Sequence, residues 1–308
     1  MIDFNIQRIL VPVDFSPASI NALDSAIAMA VRHEATVLLL NVVETDTLLR
    51  FPGDAYISEE TVHQMTQQQE HELQSLQQSV IERFLVPCEA ISTKGIVSEA
   101  IIRTSDEHHA DIIVMGTHGA SGFKAMFIGS NAFKVVKHAG CPVLTIPAEK
   151  KWQSFKKILF PVRPIPAALE KYDFVRKIIR KNNATLKILG LATDYEQDVH
   201  LLKDLAAQLN EKLKEDEVEA STYFKVGQDM ADEVLKIAAV MDTDLIVITA
   251  TIDASFKEVF VGPYTQHIIN NAHYPVLSIK PTQEKGAHAE EVIQHIRESF
   301  PKQIPLYH

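Results

Sequence analysis

The chain has 308 residues, 46% of them hydrophobic, and a formal net charge of −10 at pH 7. This length is enough for two ordinary domains, each with a hydrophobic core of its own. An acidic chain with a sequence pI of about 5.7 argues against nucleic acid or an anionic membrane as the main partner, because both bind basic surfaces.

Signals for a particular compartment are few. The two cysteines, Cys88 and Cys141, lack the spacing of a disulfide framework or a zinc site. No run approaches the roughly 18 apolar residues of a membrane-spanning helix. The first residues lead almost directly into Ile9, without the charged-then-apolar pattern of an export signal. We therefore expect a cytoplasmic protein in a reducing compartment.

The first half of the chain alternates short apolar runs with helical patterns. The first helix, predicted over 17–32, has Ser16 as its N-cap and Pro17 in its first turn. Continuous apolar runs are typical of strands that are buried on both faces of a parallel sheet. The predicted strands cover 8–13, 36–43, 87–92, 111–115 and 143–146.

The second half repeats this order. Its predicted strands cover 157–161, 185–191, 219–224, 244–248 and 276–279. The alternation predicts an α/β fold with two tandem doubly wound domains, each a five-stranded parallel sheet flanked by helices. We place the domains at 1–148 and 155–281, joined by a short linker, and a helical or disordered tail at 282–308.

The two copies differ in length. Thr36 matches Thr185, 149 positions later, whereas Asp111 matches Asp244, 133 positions later, so the first copy carries 16 extra residues. We expect them in the turn-rich stretch 44–54, after the second strand. Open α/β sheets bind ligands at that edge, and a lid over the site is one hypothesis for this insertion.

A glycine-rich loop follows the fourth strand of the first copy and leads into a helix. Glycines let a phosphate approach backbone N–H donors closely, and a helix N-terminus adds unpaired N–H groups. The spacing fits neither a Walker nor a Rossmann loop, so spacing alone leaves a phosphate site and a plain flexible loop both open. The residues concerned are Gly116, Gly119, Gly129, Ser130 and Asn131.

These positions resemble the motif G-x2-G-x9-G-[ST] of ATP-binding universal stress proteins, and residues 11–16 are similar to the family's first strand ending. The resemblance is strong over about 5–147 and extends to 155–281 by fold pattern. It implies a tandem universal stress protein whose first domain binds ATP. Mg²⁺ or Mn²⁺ would bridge the phosphates.

The resemblance also implies roles for single residues. Asp14 would bind the ribose or adenine side, although an aspartate there could instead cap the helix. Pro12 and Val13 would line the base, and the backbone of Val42 would read the adenine edge. Met115 would lie near the nucleotide. The residues around the phosphates would be Gly116, Gly119, Gly129, Ser130 and Asn131.

The second copy departs from the motif. A β-branched residue hinders close backbone approach, and proline removes an N–H donor. We therefore predict that the second domain does not bind ATP in the family manner, and that Arg163 contacts an anion or forms a local salt bridge. The replacements are Asp14 by Arg163, Gly116 by Thr249, Gly119 by Ile252 and Ser130 by Pro263.

The final strands of both copies would be sheet edges that need covering. In the resembling family these edges pair between subunits. The resemblance therefore implies that the two domains pair within the chain as a pseudo-dimer, and a further homodimer stays open.

Three functions remain open. The first is a stress-response module that acts through nucleotide-dependent conformation or through unidentified protein partners. With no evident general base, hydrolysis would be slow at most, and we predict no catalytic residue and no metal ligand set in the protein. The second is a dedicated ATPase or phosphotransferase that uses His118 or Lys124. The third is a nucleotide-free interaction scaffold.

Overall fold

The computed structural model describes residues 4–44, 59–117, 129–165, 168–192, 196–227, 229–250, 252–253 and 260–280. Within these ranges the chain forms eight helices and twelve strands. None of those helices is both long enough and apolar enough to cross a membrane. The predicted tail at 282–308 lies outside the described residues.

The first domain has the predicted order of strands and helices. Its strand ends differ from the predicted ends by at most two residues, because pairing with a neighbouring strand sets them. The elements are β1 (Arg8–Pro12), α1 (Pro17–His33), β2 (Thr36–Val43), α2 (Glu59–Phe84), β3 (Cys88–Lys94), α3 (Val97–Glu107), β4 (Ile112–Gly116), α4 (Ser130–His138) and β5 (Val143–Ile146).

The second domain repeats the order, and a short antiparallel pair, β10 (Ile252–Asp253) with β11 (Phe260–Val261), lies between its last two principal strands. This pair includes Ile252, the counterpart of Gly119. The other elements are β6 (Lys157–Val162), α5 (Glu170–Asn182), β7 (Thr185–Ala192), α6 (Glu196–Glu215), β8 (Ala220–Val226), α7 (Met230–Val240), β9 (Leu245–Thr249), α8 (Pro263–Asn271) and β12 (Val276–Ile279).

The ten principal strands form one continuous sheet in the order β3-β2-β1-β4-β5-β12-β9-β6-β7-β8. All neighbours within each half are parallel, whereas β5 and β12 pair antiparallel, with Thr145 opposite Val276 and Val143 opposite Ser278. The expected pairing of the two final strands within one chain is therefore confirmed. Each domain covers an edge that the other would otherwise leave open.

Helices cover both faces of the sheet, which explains why its inner strands are predominantly apolar, whereas the outer strands β3 and β8 carry exposed residues. On one face, α1, α2, α5 and α6 pack over side chains such as Ile9 and Val247. On the other, α3, α4, α7 and α8 pack over side chains such as Leu10 and Ile246. All four of these strand residues are fully buried, and burial of each contributes about 1.5–3 kcal/mol.

Part of the extra length of the first domain lies in a helix. Helix α2 has 26 residues and α6 has 20, so the helix carries part of what the sequence had assigned to the turn-rich stretch alone. The rest precedes Glu59, largely outside the described residues. The Gln-rich helical pattern over 58–84 predicts this long helix, which the structure confirms, but the pattern does not indicate that some of the extra residues belong to it.

The linker between the domains is docked along α1. Asn21 Nδ2 donates hydrogen bonds to the carbonyl oxygens of Pro147 and Lys150, both at 2.9 Å. The Nζ of Lys151 lies 3.0 Å from the Asp24 carboxylate. Trp152, 4% exposed, packs edge-on against Tyr274 of the second domain. The linker therefore contacts both domains, as its short length predicted.

Candidate functional site

The site lies at the point where the order of the strands in the sheet reverses, with β2 on one side of β1 and β4 on the other. β1 and β4 are neighbours, but the helices that follow them, α1 and α4, pack on opposite faces. The carboxyl ends of two such strands bound a crevice in which open α/β sheets bind ligands. Asp14 follows β1, and Gly116 ends β4, so the fold brings these two sequence-predicted residues to the same edge.

Asp14 shapes the turn between β1 and α1. Its Oδ1 accepts hydrogen bonds from Ser16 N at 3.1 Å and from Ser16 Oγ at 2.6 Å. Phe15, between them, adopts φ of 61°, a left-handed conformation that costs energy in a residue with a Cβ. Ser16 is the N-cap and accepts a hydrogen bond from Ser19 N, as predicted. Asp14 is therefore not the N-cap of α1, and it is exposed at the carboxyl edge of the sheet.

A buried amide next to Asp14 was missed by the sequence analysis. Asn41, 2% exposed on β2, donates from Nδ2 to the carbonyl oxygen of Val13 at 2.9 Å. Its Oδ1 is buried and has no hydrogen-bond partner within the described part of the chain. A buried acceptor without a partner is costly, so this oxygen is suited to a ligand donor. The one available signal was an amide inside the apolar run of β2.

The start of α4 offers backbone donors. Gly129 is its N-cap, with φ of −59° and ψ of 146°, and no side chain caps this end of the helix. Gly129 N donates to the carbonyl oxygen of Thr117 at 2.7 Å, and Thr117 N donates to that of Ile146 at 3.2 Å. These bonds hold the helix start against the ends of β4 and β5. The first N–H groups of the helix, with the positive end of its dipole, can receive an anion there.

The predicted site residues within the described ranges collect at this edge. Val13 and Met115 are buried, at 3% and 6% exposure, and their side chains belong to the cores on opposite faces of the sheet. Gly119, His118 and Lys124 lie outside the described residues. The sequence-predicted residues that the structure brings to the edge are Pro12, Val13, Asp14, Val42, Met115, Gly116, Gly129, Ser130 and Asn131.

The equivalent edge of the second domain is lined differently. Arg163, in place of Asp14, lies with its Cζ 3.9 Å from the centroid of the Tyr264 ring. Tyr264, in place of Asn131, follows Pro263 in the first turn of α8. Burial lowers the pKa of Arg163 and raises that of Tyr264. The stacked pair occupies the space between the ends of β6 and the start of α8.

A buried lysine lies beneath this pair. Lys171 on α5 is 2% exposed, whereas its counterpart in the first domain is Ala22. Lys171 Nζ donates to the carbonyl oxygen of Pro161 and lies 4.3 Å from the centroid of the Phe160 ring. Burial, and secondarily the charge of Arg163, hold the pKa of Lys171 well below its usual value. Lys171, Arg163 and Tyr264 thus lie where the first domain has the smaller Ala22, Asp14 and Asn131.

The two cysteines are weak nucleophiles in this fold. Burial raises the pKa of Cys88 to about 12 and that of Cys141 to about 11, so both remain thiols rather than nucleophilic thiolates at neutral pH. Across the described ranges, no three His, Cys, Asp or Glu side chains cluster in a way that could hold a metal ion. The edge of the first domain is equipped to bind a ligand through backbone donors.

Comparison with known proteins identifies relatives of both halves. The model of the universal stress protein family matches residues 5–147 and again residues 154–280. Universal stress protein MJ0531 of Methanocaldococcus jannaschii is 29% identical over 145 residues, which cover 47% of this chain and 84% of the relative. Universal stress protein YxiE of Bacillus subtilis is 30% identical over 149 residues, covering 46% and 98%.

Solved structures are similar over nearly the whole chain. A universal stress protein from Archaeoglobus fulgidus has a TM-score of 0.72 at 19% identity and covers 91% of this chain and 98% of its own. Protein PA1789 from Pseudomonas aeruginosa, whose function is given as unknown, has a TM-score of 0.66 at 17% identity and covers 94% and 98%. At these identities the similarity concerns the fold.

Proposed function

Because this chain belongs to the universal stress protein family, with two family domains in tandem, we propose that its first domain binds ATP at the crevice between the ends of β1 and β4. The observation that carries the proposal is the glycine N-cap of α4, held against the end of β4 by the hydrogen bond from Gly129 N to Thr117 O. The uncapped N–H groups there suit phosphate oxygens.

The residues at the edge fit the other parts of ATP. The phosphates would meet the backbone of Gly129, Ser130 and Asn131, with the Ser130 hydroxyl as a further donor. Asp14 would accept hydrogen bonds from the ribose hydroxyls, and Pro12 and Val13 would line the base. Mg²⁺ or Mn²⁺ would bridge the phosphates with few protein ligands, which agrees with a site that is rich in backbone donors.

The second domain would act as a structural partner. Its crevice is filled by the stack of Arg163 on Tyr264 and by Lys171, and its strand β12 completes the sheet at β5. A side chain that already fills the space of a ligand lowers affinity by at least the free energy needed to displace it. One ATP per chain is therefore expected.

We propose that ATP binding serves a stress response in the cytoplasm and that it acts through the conformation of the chain or through contacts with protein partners. Helix α1 supports such an output because it joins two regions. It begins at the Asp14 turn and, one and two turns later, Asn21 and Asp24 hold the linker. A shift of α1 on nucleotide binding would reach the linker directly. Binding, with slow hydrolysis at most, is the proposed primary activity.

Calorimetric titration of the full chain with ATP and Mg²⁺ tests the proposal. We expect one site per chain in the wild type and no detectable binding in Gly129→Val, whose side chain would occupy the phosphate position. Asp14→Ala is expected to lose about tenfold in affinity, equal to one hydrogen bond to a charged group. Arg163→Ala, the same position in the second domain, is the matched control.

The outcomes separate the alternatives. Two sites per chain, or lower affinity in Arg163→Ala, would show that the second domain binds the nucleotide. Undiminished affinity in Gly129→Val would exclude the crevice of the first domain. Phosphate release measured in the same samples would reveal an ATPase, if turnover were fast.

A further inference from the structure

A second concave region lies away from both crevices, between α1, α2 and the linker. The groove has a volume of about 470 Å³, within the roughly 300–1,000 Å³ of small-molecule sites. Arg32, in the last turn of α1, Arg83, in the last turn of α2, and Lys151 of the linker supply positive charge to its lining. The apolar part of the lining includes Val31 and Phe84.

The positive charges of this groove are only partly compensated. Asp24, the acidic side chain found in the lining, is 3.0 Å from Lys151. Arg32 has its Nε and Nη2 atoms buried, with no hydrogen-bond partner in the described ranges. Burial lowers the pKa of Arg32, yet an arginine stays protonated in proteins. A half-buried guanidinium in which two nitrogens lack a partner is less favourable than one that is paired with an anion.

Apolar surface adjoins these charges. Val31 is 55% exposed and Phe84 is 40% exposed, which is high for side chains of this kind. The guanidinium of Arg83 lies 5.4 Å from the centroid of the Phe84 ring. A cation at that distance leaves part of the ring face open for contact with a further apolar group. The groove therefore offers an anion position and an apolar position side by side.

We propose that this groove binds a small phosphate monoester whose ester group is an aromatic or similarly apolar ring. Planar guanidinium groups match phosphate oxygens in pairs, so Arg32 and Arg83 would hold the phosphoryl group. Three cations and one carboxylate line the groove, a surplus of two positive charges that suits a dianion. The ring of the ligand would pack on Val31 and Phe84.

This site is separate from the proposed ATP site. Ser16 caps the first turn of α1 and Arg32 lies in its last turn, so about 24 Å of helix separates them at 1.5 Å per residue. The inference does not depend on ATP binding. The two are connected through the linker, because Lys151 and Gln153 belong to the groove and follow the carbonyl groups that Asn21 holds.

The single tryptophan of the chain provides a reporter, because Trp152 lies between Lys151 and Gln153. We would titrate the full chain with phenyl phosphate, following the fluorescence of Trp152 and the heat of binding. Phenol and inorganic phosphate, which each carry half of the proposed ligand, should bind at least about tenfold more weakly. That factor corresponds to one lost charge-assisted hydrogen bond or one lost ring contact.

Variants locate the site. Arg32→Met, which keeps the length of the side chain, and Arg83→Gln, an exposed change, should each raise Kd about tenfold. Arg103→Gln, which removes an exposed arginine of α3 outside the groove, should leave Kd within about twofold, since a distant surface charge contributes little. Thermal unfolding of each variant would verify that the chain is folded.

Three results would overturn the proposal. One is the absence of saturable heat with phenyl phosphate at millimolar concentration. Another is an equal Kd in wild type, Arg32→Met and Arg83→Gln. The third is loss of phenyl phosphate binding in Gly129→Val, since that would assign the ligand to the crevice of the first domain.

Discussion

The two domains have the same strand order, yet different groups line the carboxyl edge of each. In the first, the exposed Asp14 and the glycine cap of α4 lie at this edge, and Ala22 is buried on α1. In the second, Lys171 replaces the alanine, and the ring of Tyr264 supports the guanidinium of Arg163. A few changes at the ends of strands and helices therefore change the chemistry of the same edge of the fold.

The comparison also shows why the second domain is retained without an open crevice. Its strand β12 pairs with β5 over three residue pairs, and its apolar side chains join both cores. Removal of this domain would expose β5 as an edge and uncover apolar surface. The sheet thus depends on both domains, whereas the crevice of the first needs no side chain of the second.

The largest effect on ATP affinity in this comparison is expected when a residue of the first crevice is replaced by its counterpart in the second. Ser130→Pro removes the hydroxyl and the N–H donor of the first residue of α4. Proline is favourable at the first position of a helix, as Pro263 in α8 demonstrates, so the fold should tolerate it. We expect a loss of about 100-fold in ATP affinity by calorimetry, equal to two hydrogen bonds to charged oxygens.

The reverse change supplies the matched control. Pro263→Ser restores the donor in the second domain but leaves the Arg163–Tyr264 stack and Lys171 in place. Titration should therefore still give one site per chain. A second site in Pro263→Ser, or an unaltered affinity in Ser130→Pro, would contradict the view that these edges differ by what fills them.

A second prediction concerns the ionisation of the buried Lys171. The folded pKa lies below the unfolded one. As pH falls below the unfolded pKa, near 10.4, the unfolded chain gains a proton that the folded protein does not bind. Wild type should therefore lose stability relative to Lys171→Met, by up to about 1.4 kcal/mol per pH unit, until pH reaches the folded pKa. Urea unfolding at pH 10, 8.5 and 7 measures this difference.

Lys214→Met, at an exposed position of α6, is the control for the change in composition. Its unfolding free energy should follow that of wild type across the same pH range. A constant difference between Lys171→Met and wild type would mean that Lys171 remains charged in the folded protein, with the Pro161 carbonyl and the Phe160 ring sufficient to hold the charge.

The sequence was informative where a pattern is local. Apolar runs predicted the inner strands because helices cover both of their faces. The glycine spacing drew attention to Gly116 and Gly129, whose part in ligand binding stays a prediction. Asn41 could not be found this way. Its role depends on the register of β1 against β2, which brings its amide to the carbonyl of Val13.

The burial of Lys171 could not be predicted from the sequence either. Lys171 is part of an ordinary helical pattern with charged neighbours, and nothing in that pattern indicates that its amine is directed toward the sheet. Tertiary packing decides this point, since the space below Arg163 is available only after β6 and α5 come together. The hydrogen bond from Gly129 N to the carbonyl oxygen of Thr117 could not be predicted either, because eleven residues separate the two in the sequence.

The smallest expected effect concerns the position in the second domain that corresponds to Asn41. Gly190 is its counterpart, and a Cβ there would lie 2.7 Å from the ring of Phe224. Gly190→Ala should cost about 1 kcal/mol of unfolding free energy, since Phe224 is 54% exposed and its ring can turn away while strain remains modest. In a Phe224→Ala background the cost should fall to what the contact with Leu202 Cδ2, 3.1 Å from the same Cβ position, leaves, because alanine also restricts the unfolded chain more than glycine does. Urea unfolding of the four proteins in this cycle gives the coupling directly. An equal cost in both backgrounds would place the strain at Leu202 or in the backbone of β7 instead of in the contact with Phe224.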